Sequence, residues 1–130
     1  MWALADDDVV VRGGIFNDPE LILEALEDAI DMGYGPVLSV FLGKLSENGD
    51  VDASVAAACK DGKVPHGKIR LTRVKNLRDS NFELTQDTSE GQPECHFHVH
   101  FPEAPTSVDA SRFIGCFDEP IKNPAKESAS

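Results

Sequence analysis

The sequence predicts a single α/β domain, with α+β as the alternative class, in which a mixed β-sheet carries its helices mainly on one face in two layers. Short apolar stretches of strand length alternate with amphipathic stretches of helical spacing along the first part of the chain. Two stretches that alternate strictly between apolar and polar residues then stand close together, which predicts a C-terminal β-hairpin, and a last amphipathic helix follows them.

The composition sets the size of the domain. With 41% hydrophobic residues in a chain of 130, one core can form without disulfide bonds. We therefore expect one globular domain over residues 1–122 and a polar, mobile C-terminal tail over residues 123–130.

The first predicted unit is a strand, a helix and a second strand. The β-branched run over residues 8–16 predicts the first strand. The helix begins after Asn17 or Asp18, which favour the N-cap, and ends at Gly33, which favours a left-handed conformation. The nearly continuous apolar run over residues 35–44 predicts a buried strand, so the unit is typical of a right-handed parallel crossover.

Shorter elements follow this unit. Asp50 predicts the start of a second helix, which ends at Gly62. Residues 68–71 predict a strand. The next residues predict either a continuation of that strand or a short helix that Thr72 caps and that ends in a left-handed Asn81. The helix is favoured because the apolar positions do not alternate with period two.

The C-terminal part predicts the hairpin and the last helix. Residues 82–86 and 95–101 both alternate cleanly, and the polar stretch between them predicts a long turn. Thr106 and Asp109 have the spacing of a capping box at the start of the helix, and Pro120 ends it.

The charge distribution bears on the partner. The formal net charge is −11; residues 1–60 hold 12 acidic and 3 basic residues, and residues 61–130 hold 11 and 9. The outer side of the first helix, called the acidic face below, consists of Glu20, Glu24, Glu27, Asp28 and Asp31. We expect this face to bind a protein with a basic surface, while the overall charge disfavours a nucleic-acid partner.

A basic stripe follows in the second half of the chain. It consists of Lys68, Arg70, Arg73, Lys75 and Arg78. Because no aromatic residue is interleaved with these side chains, stacking on single-stranded nucleic acid is not expected. A contact with an acidic partner or with phosphate stays open.

Several sequence features indicate a cytoplasmic protein without a membrane partner. No apolar run approaches the roughly 20 residues that a membrane helix needs. Three aspartates stand near the N-terminus, where an export signal would carry basic residues. The three cysteines lack CxxC spacing, which favours reduced thiols.

Three of the four histidines stand at every second position of the second hairpin strand. His96, His98 and His100 therefore share one face of that strand, and the apolar residues between them share the other. In the hairpin we expect Glu83 and Asp87 to lie across from the histidines, and we predict a raised pKa for at least one imidazole.

Three interpretations of the histidine row stay open. The simplest is a polar face that contacts solvent or a partner. The second is a divalent-metal site built on His96, His98 and His100, with Asp87 or His66 completing the ligand set. Histidines two residues apart on one strand are compatible with such a site, but the spacing alone does not specify it.

The third interpretation is a family resemblance. The segments "HFHVHFP" and "GQPECH" resemble the signature of the histidine-triad nucleotide hydrolases and transferases over residues 82–102. The resemblance implies a nucleophilic His98, supported by His96 and His100, that forms a phosphoramidate intermediate. The family's Asn-x-Gly is replaced by Asp87-Thr88-Ser89, and the N-terminal half lacks the family's Asp, Pro and His pattern, so the family is not adopted.

The leading functional hypothesis is a small acidic protein that acts by binding another protein, as an inhibitor, an immunity-like protein or an accessory subunit. No complete catalytic constellation is present in the sequence, so a non-enzymatic function is favoured and no cofactor is expected. The alternative is a histidine-dependent enzyme acting on nucleotide phosphates, or a divalent-metal site.

Overall fold

The computed structural model describes residues 2–45 and 48–126 and confirms a single small α/β domain. In chain order the elements are β1 (Val9–Gly13), α1 (Pro19–Asp31), β2 (Val37–Gly43), α2 (Val51–Asp61), β3 (Lys68–Arg73), α3 (Val74–Asp79), β4 (Glu83–Gln86), β5 (His96–His100), α4 (Ser107–Ile114) and β6 (Ile121–Lys122). The predicted C-terminal hairpin, β4 and β5, and the helix after it are present.

The strands form one sheet in the order β4-β5-β2-β1-β3-β6, and every pairing among the described strands is antiparallel. The predicted parallel crossover, and with it the mixed sheet, is wrong, because β1 and β2 run in opposite directions with Val10 opposite Leu42. Apolar periodicity identifies a strand but not its direction. Gly33 and Gly35, both with positive φ, form the turn after α1 that leads the chain into β2.

Helices α1, α3 and α4 cover one face of the sheet, as expected for helices mainly on one face. Their apolar residues form the larger core with the inward side chains of β1, β2, β4 and β5. Phe113 lies at its centre, with its ring centroid 5.7 Å from that of Phe82, 5.3 Å from that of Phe101 and 5.0 Å from that of Phe117.

Helix α2 covers part of the opposite face. Val55, Ala58 and Cys59 pack there against Val9 and Val11 in a smaller core. This helix packs on β1 and β2 and leaves the β4–β5 end of the same face without a helix among the described residues. That uncovered end of the sheet carries the histidine row.

Several helix ends follow the sequence closely. Asp18 caps α1 by accepting a hydrogen bond from the backbone N–H of Glu20, and Asp50 caps α2 in the same way through Ala53. Thr106 and Asp109 form the predicted capping box of α4.

Two predicted boundaries are wrong. Thr72 does not cap α3: it lies in β3, where its hydroxyl donates to the carbonyl of Cys116 at 2.6 Å, and Arg73 takes the cap position. Helix α4 ends at Ile114, well before Pro120, and Gly115 follows it. Asn81 does adopt the predicted left-handed conformation, with a φ of 67°.

The chain after β6 belongs in part to the packed domain. Asn123, the first residue of the predicted tail, is fully buried. Its Nδ2 donates to the carbonyls of Val64 at 3.0 Å and His66 at 2.8 Å, so it joins the chain end to the loop before β3. The predicted tail therefore starts after this residue, and its positions 127–130 lie outside the described residues.

No helix among the described residues is long and apolar enough to cross a bilayer.

Candidate metal centre

Strand β5 directs its histidines away from the larger core. Alternation along the strand puts Phe97 in that core and His96, His98 and His100 on the opposite face. His96 is buried, while His98 and His100 are half-buried. The row is thus partly enclosed rather than an open solvent face.

Asp87 joins the row from the neighbouring strand. It directly follows β4, and its backbone N–H donates to the carbonyl of His96 at 2.9 Å, which confirms the expected cross-strand position. Its Oδ1 accepts from the backbone N–H of Ser89 at 2.9 Å, an arrangement that fixes the carboxylate. Its Oδ2 lies 3.0 Å from Nδ1 of His96 and 3.5 Å from Nε2 of His98.

The ligand atoms of Asp87, His96 and His98 form a cluster that could hold one metal ion. All three lie within 4.8 Å of one another. Zinc binds imidazole nitrogen and carboxylate oxygen at about 2.0–2.2 Å, so two ligand atoms of a tetrahedral ion stand roughly 3.3–3.6 Å apart. The contact between Asp87 and Nδ1 of His96 is short but lacks the alignment of a hydrogen bond. Two such atoms that face each other are suited to sharing a cation.

Local hydrogen bonds and burial hold Asp87 and His96 in metal-binding protonation states. Hydrogen bonds from Ser89 lower the pKa of Asp87, and the adjacent His96 and His98 lower it further, against the effect of burial. Burial lowers the pKa of His96 and outweighs the attraction of Asp87. At neutral pH the carboxyl group is therefore anionic, and the imidazole of His96 is neutral with a free lone pair.

His100 lies outside this cluster. Its Nε2 is 2.7 Å from the hydroxyl oxygen of Thr85. Glu83 lies opposite it as expected, yet burial lowers the pKa of His100, with a further contribution from His98 that Glu83 opposes only in part. At His96 and His100 the cross-strand carboxylates therefore do not raise the pKa, because removing the imidazole from water has the larger effect.

The other predicted ligand, His66, lies in the loop before β3 and outside the cluster. Its ring packs over Gly13, where an added Cβ would stand 2.1 Å from Nδ1. It lines a second cavity together with Val64 and Pro65. The structure thus brings together three of the five residues that the sequence offered as ligands.

The cluster opens into a cavity of about 450 Å³, called the histidine groove below. Its lining includes residues of β2, of β5 and of the C-terminal half of α1. The ring of Tyr34 lies beside His98, with 5.8 Å between centroids. Further wall residues are Arg12, Ala25, Asp28, Ala29, Met32 and Gln92.

The acidic face is exposed as the helical pattern predicts. All five of its side chains lie at the surface, and none of them forms an ion pair with a described residue. Its member Asp28 also borders the histidine groove, so the two features adjoin each other.

The basic stripe does not form a continuous cationic surface. Arg70 is buried, and its guanidinium donates to backbone carbonyls that include those of Asp118 and Phe117. The other members that make polar contacts do so locally: Arg73 donates to the carbonyl of Asp7, Lys75 pairs with Asp79, and Arg78 pairs with Asp6. Much of this charge therefore serves the fold.

Sequence reasoning missed one charged residue of the groove, Arg12. The signal was present, since Arg12 interrupts an otherwise apolar β-strand run. A charged residue in a buried strand needs a partner or a function.

The chain matches no protein-family model, no curated protein sequence and no solved structure. The resemblance of the histidine row to the histidine-triad proteins therefore rests on the local motif alone. A functional conclusion has to come from the geometry of the site.

Proposed function

We propose that the protein binds one divalent transition-metal ion, with Zn²⁺ as the best fit, through Asp87, His96 and His98. The observation that supports the proposal is the convergence of one carboxylate oxygen and two imidazole nitrogens within 4.8 Å at the end of a groove. Strand pairing fixes all three residues, because His96 and His98 share one face of β5 and Asp87 is held to the backbone of His96.

The ligand types favour zinc over the alkaline-earth ions. Two nitrogens and one oxygen are typical of zinc and neighbouring transition metals, whereas Ca²⁺ and Mg²⁺ prefer oxygen ligands alone. Three protein ligands leave at least one position for water or another molecule on a tetrahedral ion. That position would lie on the side of the histidine groove.

Equilibrium dialysis tests this proposal. Protein treated with EDTA is dialysed against Zn²⁺, and bound metal is measured by mass spectrometry. We expect one equivalent in the wild type, loss of binding in His98→Ala, and full binding in the matched control His100→Ala, which removes a histidine from the same strand face but not from the cluster. Absence of bound zinc in the wild type, or equal binding in His98→Ala, would reject the site.

A second proposed function is binding to a basic protein through the acidic face. It is supported by the exposure of Glu20, Glu24, Glu27, Asp28 and Asp31 and by the lack of a described ion pair for any of them. Unpaired like charges on one helix favour a cationic partner and steer its approach. An inhibitor, an immunity-like protein or an accessory subunit would act in this way, and the free state of all three cysteines suits the proposed cytoplasmic location.

Charge reversal tests the second function. The immobilised protein is used to capture partners, and a variant carrying Glu24→Lys, Glu27→Lys and Asp31→Lys is compared with the wild type. We expect a basic partner that the variant loses and that higher salt releases. The control reverses three exposed acids elsewhere, Glu90, Glu103 and Glu119. Capture that the α1 reversal leaves unchanged would contradict this function.

A further inference from the structure

Arg12 is a charged residue of the histidine groove without a counter-ion. Its Nη1 donates to the carbonyl of Ser39 at 2.7 Å, and its guanidinium carbon lies 5.7 Å from the ring centroid of Phe16. Its Nε is buried and has no hydrogen-bond partner. No carboxylate of the described chain forms an ion pair with it. The guanidinium has five N–H donors, and the carbonyl of Ser39 accepts from it.

Two other arginines with limited exposure show what a compensated guanidinium looks like in this fold. Arg70 is surrounded by backbone carbonyls at the end of α4, from Asp118 and Phe117 among others. Arg112 stacks on Phe82 as Arg12 does on Phe16, but it also pairs with Asp109 at 3.4 Å. Arg12 has the single carbonyl of Ser39 and no carboxylate partner among the described residues.

A half-buried charge without a counter-ion is unfavourable. Burial lowers the pKa of Arg12 to about 10, so the side chain still carries its proton at neutral pH. The desolvation of such a charge is offset when an anion binds to it. The guanidinium is therefore better satisfied with an anionic ligand in the groove than without one.

Arg12 lies in the wall of the cavity that holds the proposed metal ligands. Arg12 donates to Ser39 of β2, and Ser39 lies opposite His98 of β5. Arg12, His96, His98 and Asp87 all line the same cavity.

We propose that the histidine groove binds a small carboxylate monoanion whose charged group lies between the metal ion and the guanidinium of Arg12. The inference rests on the proposed metal function, because the metal supplies the second attraction. Arginine binds carboxylate through two parallel hydrogen bonds, and a three-ligand zinc ion offers an open position to one oxygen. Ala25, Ala29 and Met32 provide an apolar wall for the rest of the molecule.

A monoanion suits the groove better than a dianion or a polyanion. The chain has a net charge of −11, and Asp28 of the acidic face borders the cavity. The metal ion and Arg12 together carry three positive charges, and Asp87 and Asp28 carry two negative ones, so a ligand with one negative charge balances the groove. Phosphate esters and nucleic acid are thus disfavoured relative to a carboxylate.

Calorimetric titration tests the proposal with 3-phenylpropionate as the probe on zinc-loaded protein. Its neutral amide, 3-phenylpropionamide, and phenyl phosphate serve as comparisons. We expect the carboxylate to bind at least tenfold more tightly than the amide and more tightly than the phosphate. Absence of carboxylate binding, equal binding of the amide, or tighter binding of the phosphate would each overturn the assignment.

Variants separate this inference from the metal site. In Arg12→Gln we expect one zinc per chain and at least tenfold weaker carboxylate binding. Arg12→Lys should recover part of that binding. The matched control is Arg112→Gln, which should bind the carboxylate as the wild type does. Unchanged carboxylate binding in Arg12→Gln would overturn the role of Arg12 while leaving the metal function intact. Arg12-dependent carboxylate binding in protein that takes up no zinc would support the anion site and reject the metal function. A melting curve of each variant confirms that it is folded. If Arg12→Gln does not fold, Arg12→Lys tests the role of Arg12, because Arg12→Lys should bind the carboxylate more weakly than the wild type does.

Discussion

Replacing Asp87 by Asn should abolish most of the stabilisation that zinc gives to the protein. The side chain of Asp87 is only 7% exposed, and Asn keeps its size and the oxygen that accepts from Ser89. The substitution thus removes the negative charge of the proposed ligand and little else. Because even the partners that merely orient metal ligands affect affinity by about 10–100-fold, losing a charged ligand should weaken binding by at least about 100-fold.

The expected size of the effect follows from linkage. Zinc at 100 times its dissociation constant stabilises the native state by about 2.7 kcal/mol. A domain of 130 residues has an unfolding entropy of roughly 0.27 kcal/mol/K near its midpoint, so Tm should rise by about 10 °C. For Asp87→Asn, with binding about 100-fold weaker, the stabilisation falls to about 0.4 kcal/mol and the rise in Tm to about 1–2 °C.

Differential scanning fluorimetry with and without Zn²⁺ measures both shifts, with His100→Asn as the control from the same strand face. Equal shifts in Asp87→Asn and wild type would refute the assignment of Asp87 as a ligand. Loss of the shift in His100→Asn would refute the exclusion of His100 from the site.

Three further predictions concern the protein without metal. In EDTA, the free energy of unfolding should fall as the pH drops below about 6.5. Burial lowers the pKa of His96 and His100 in the native state, so the unfolded chain binds protons first. Urea titrations between pH 7.5 and 5 should show this decline, and a flat profile would contradict the lowered pKa values. Cys59 is fully buried, and burial raises its pKa to about 11, so Cys59 should react with a thiol reagent at pH 8 only after unfolding. Mass spectrometry locates the labelled cysteine, and rapid labelling of Cys59 in the native protein would contradict its burial. Phe113→Ala should destabilise the domain by about 3–5 kcal/mol in chemical denaturation, because it empties the centre of the aromatic core, whereas a loss below about 1 kcal/mol would mean that the core collapses into the space.

The elements of this fold could largely be predicted because their signals are local. Asp18, Asp50 and the Thr106–Asp109 pair mark helix starts through hydrogen bonds within one turn. Apolar spacing identified the core side of α1 and of the hairpin. The direction of β2 and the strand order depend on contacts between distant residues, and no local pattern encodes them.

The candidate site was predictable in part for the same reason. Alternation along β5 put the histidines on one face, and the hairpin register put Asp87 next to His96. Which histidines converge depends on the Ser89 contact that aims the carboxylate and on the hydroxyl of Thr85 that holds His100, and neither follows from spacing. The balance between burial and carboxylate attraction at His96 likewise requires the packed structure.

Arg12 shows another limit of local patterns. Its neighbours predict a buried strand, and β1 is indeed buried over Val9–Val11. The role of the guanidinium depends on Ser39 and on α1, which are distant from Arg12 in the sequence. The sequence therefore shows a charged residue in a buried strand but not the groups that surround it.

The most direct test of the metal centre is a crystal of the zinc-loaded protein measured at the zinc absorption edge. We expect a single anomalous peak about 2.0–2.2 Å from the Oδ2 of Asp87, the Nδ1 of His96 and the Nε2 of His98. A peak at any other position, or no peak in protein that was crystallised with excess zinc, would contradict the proposed function.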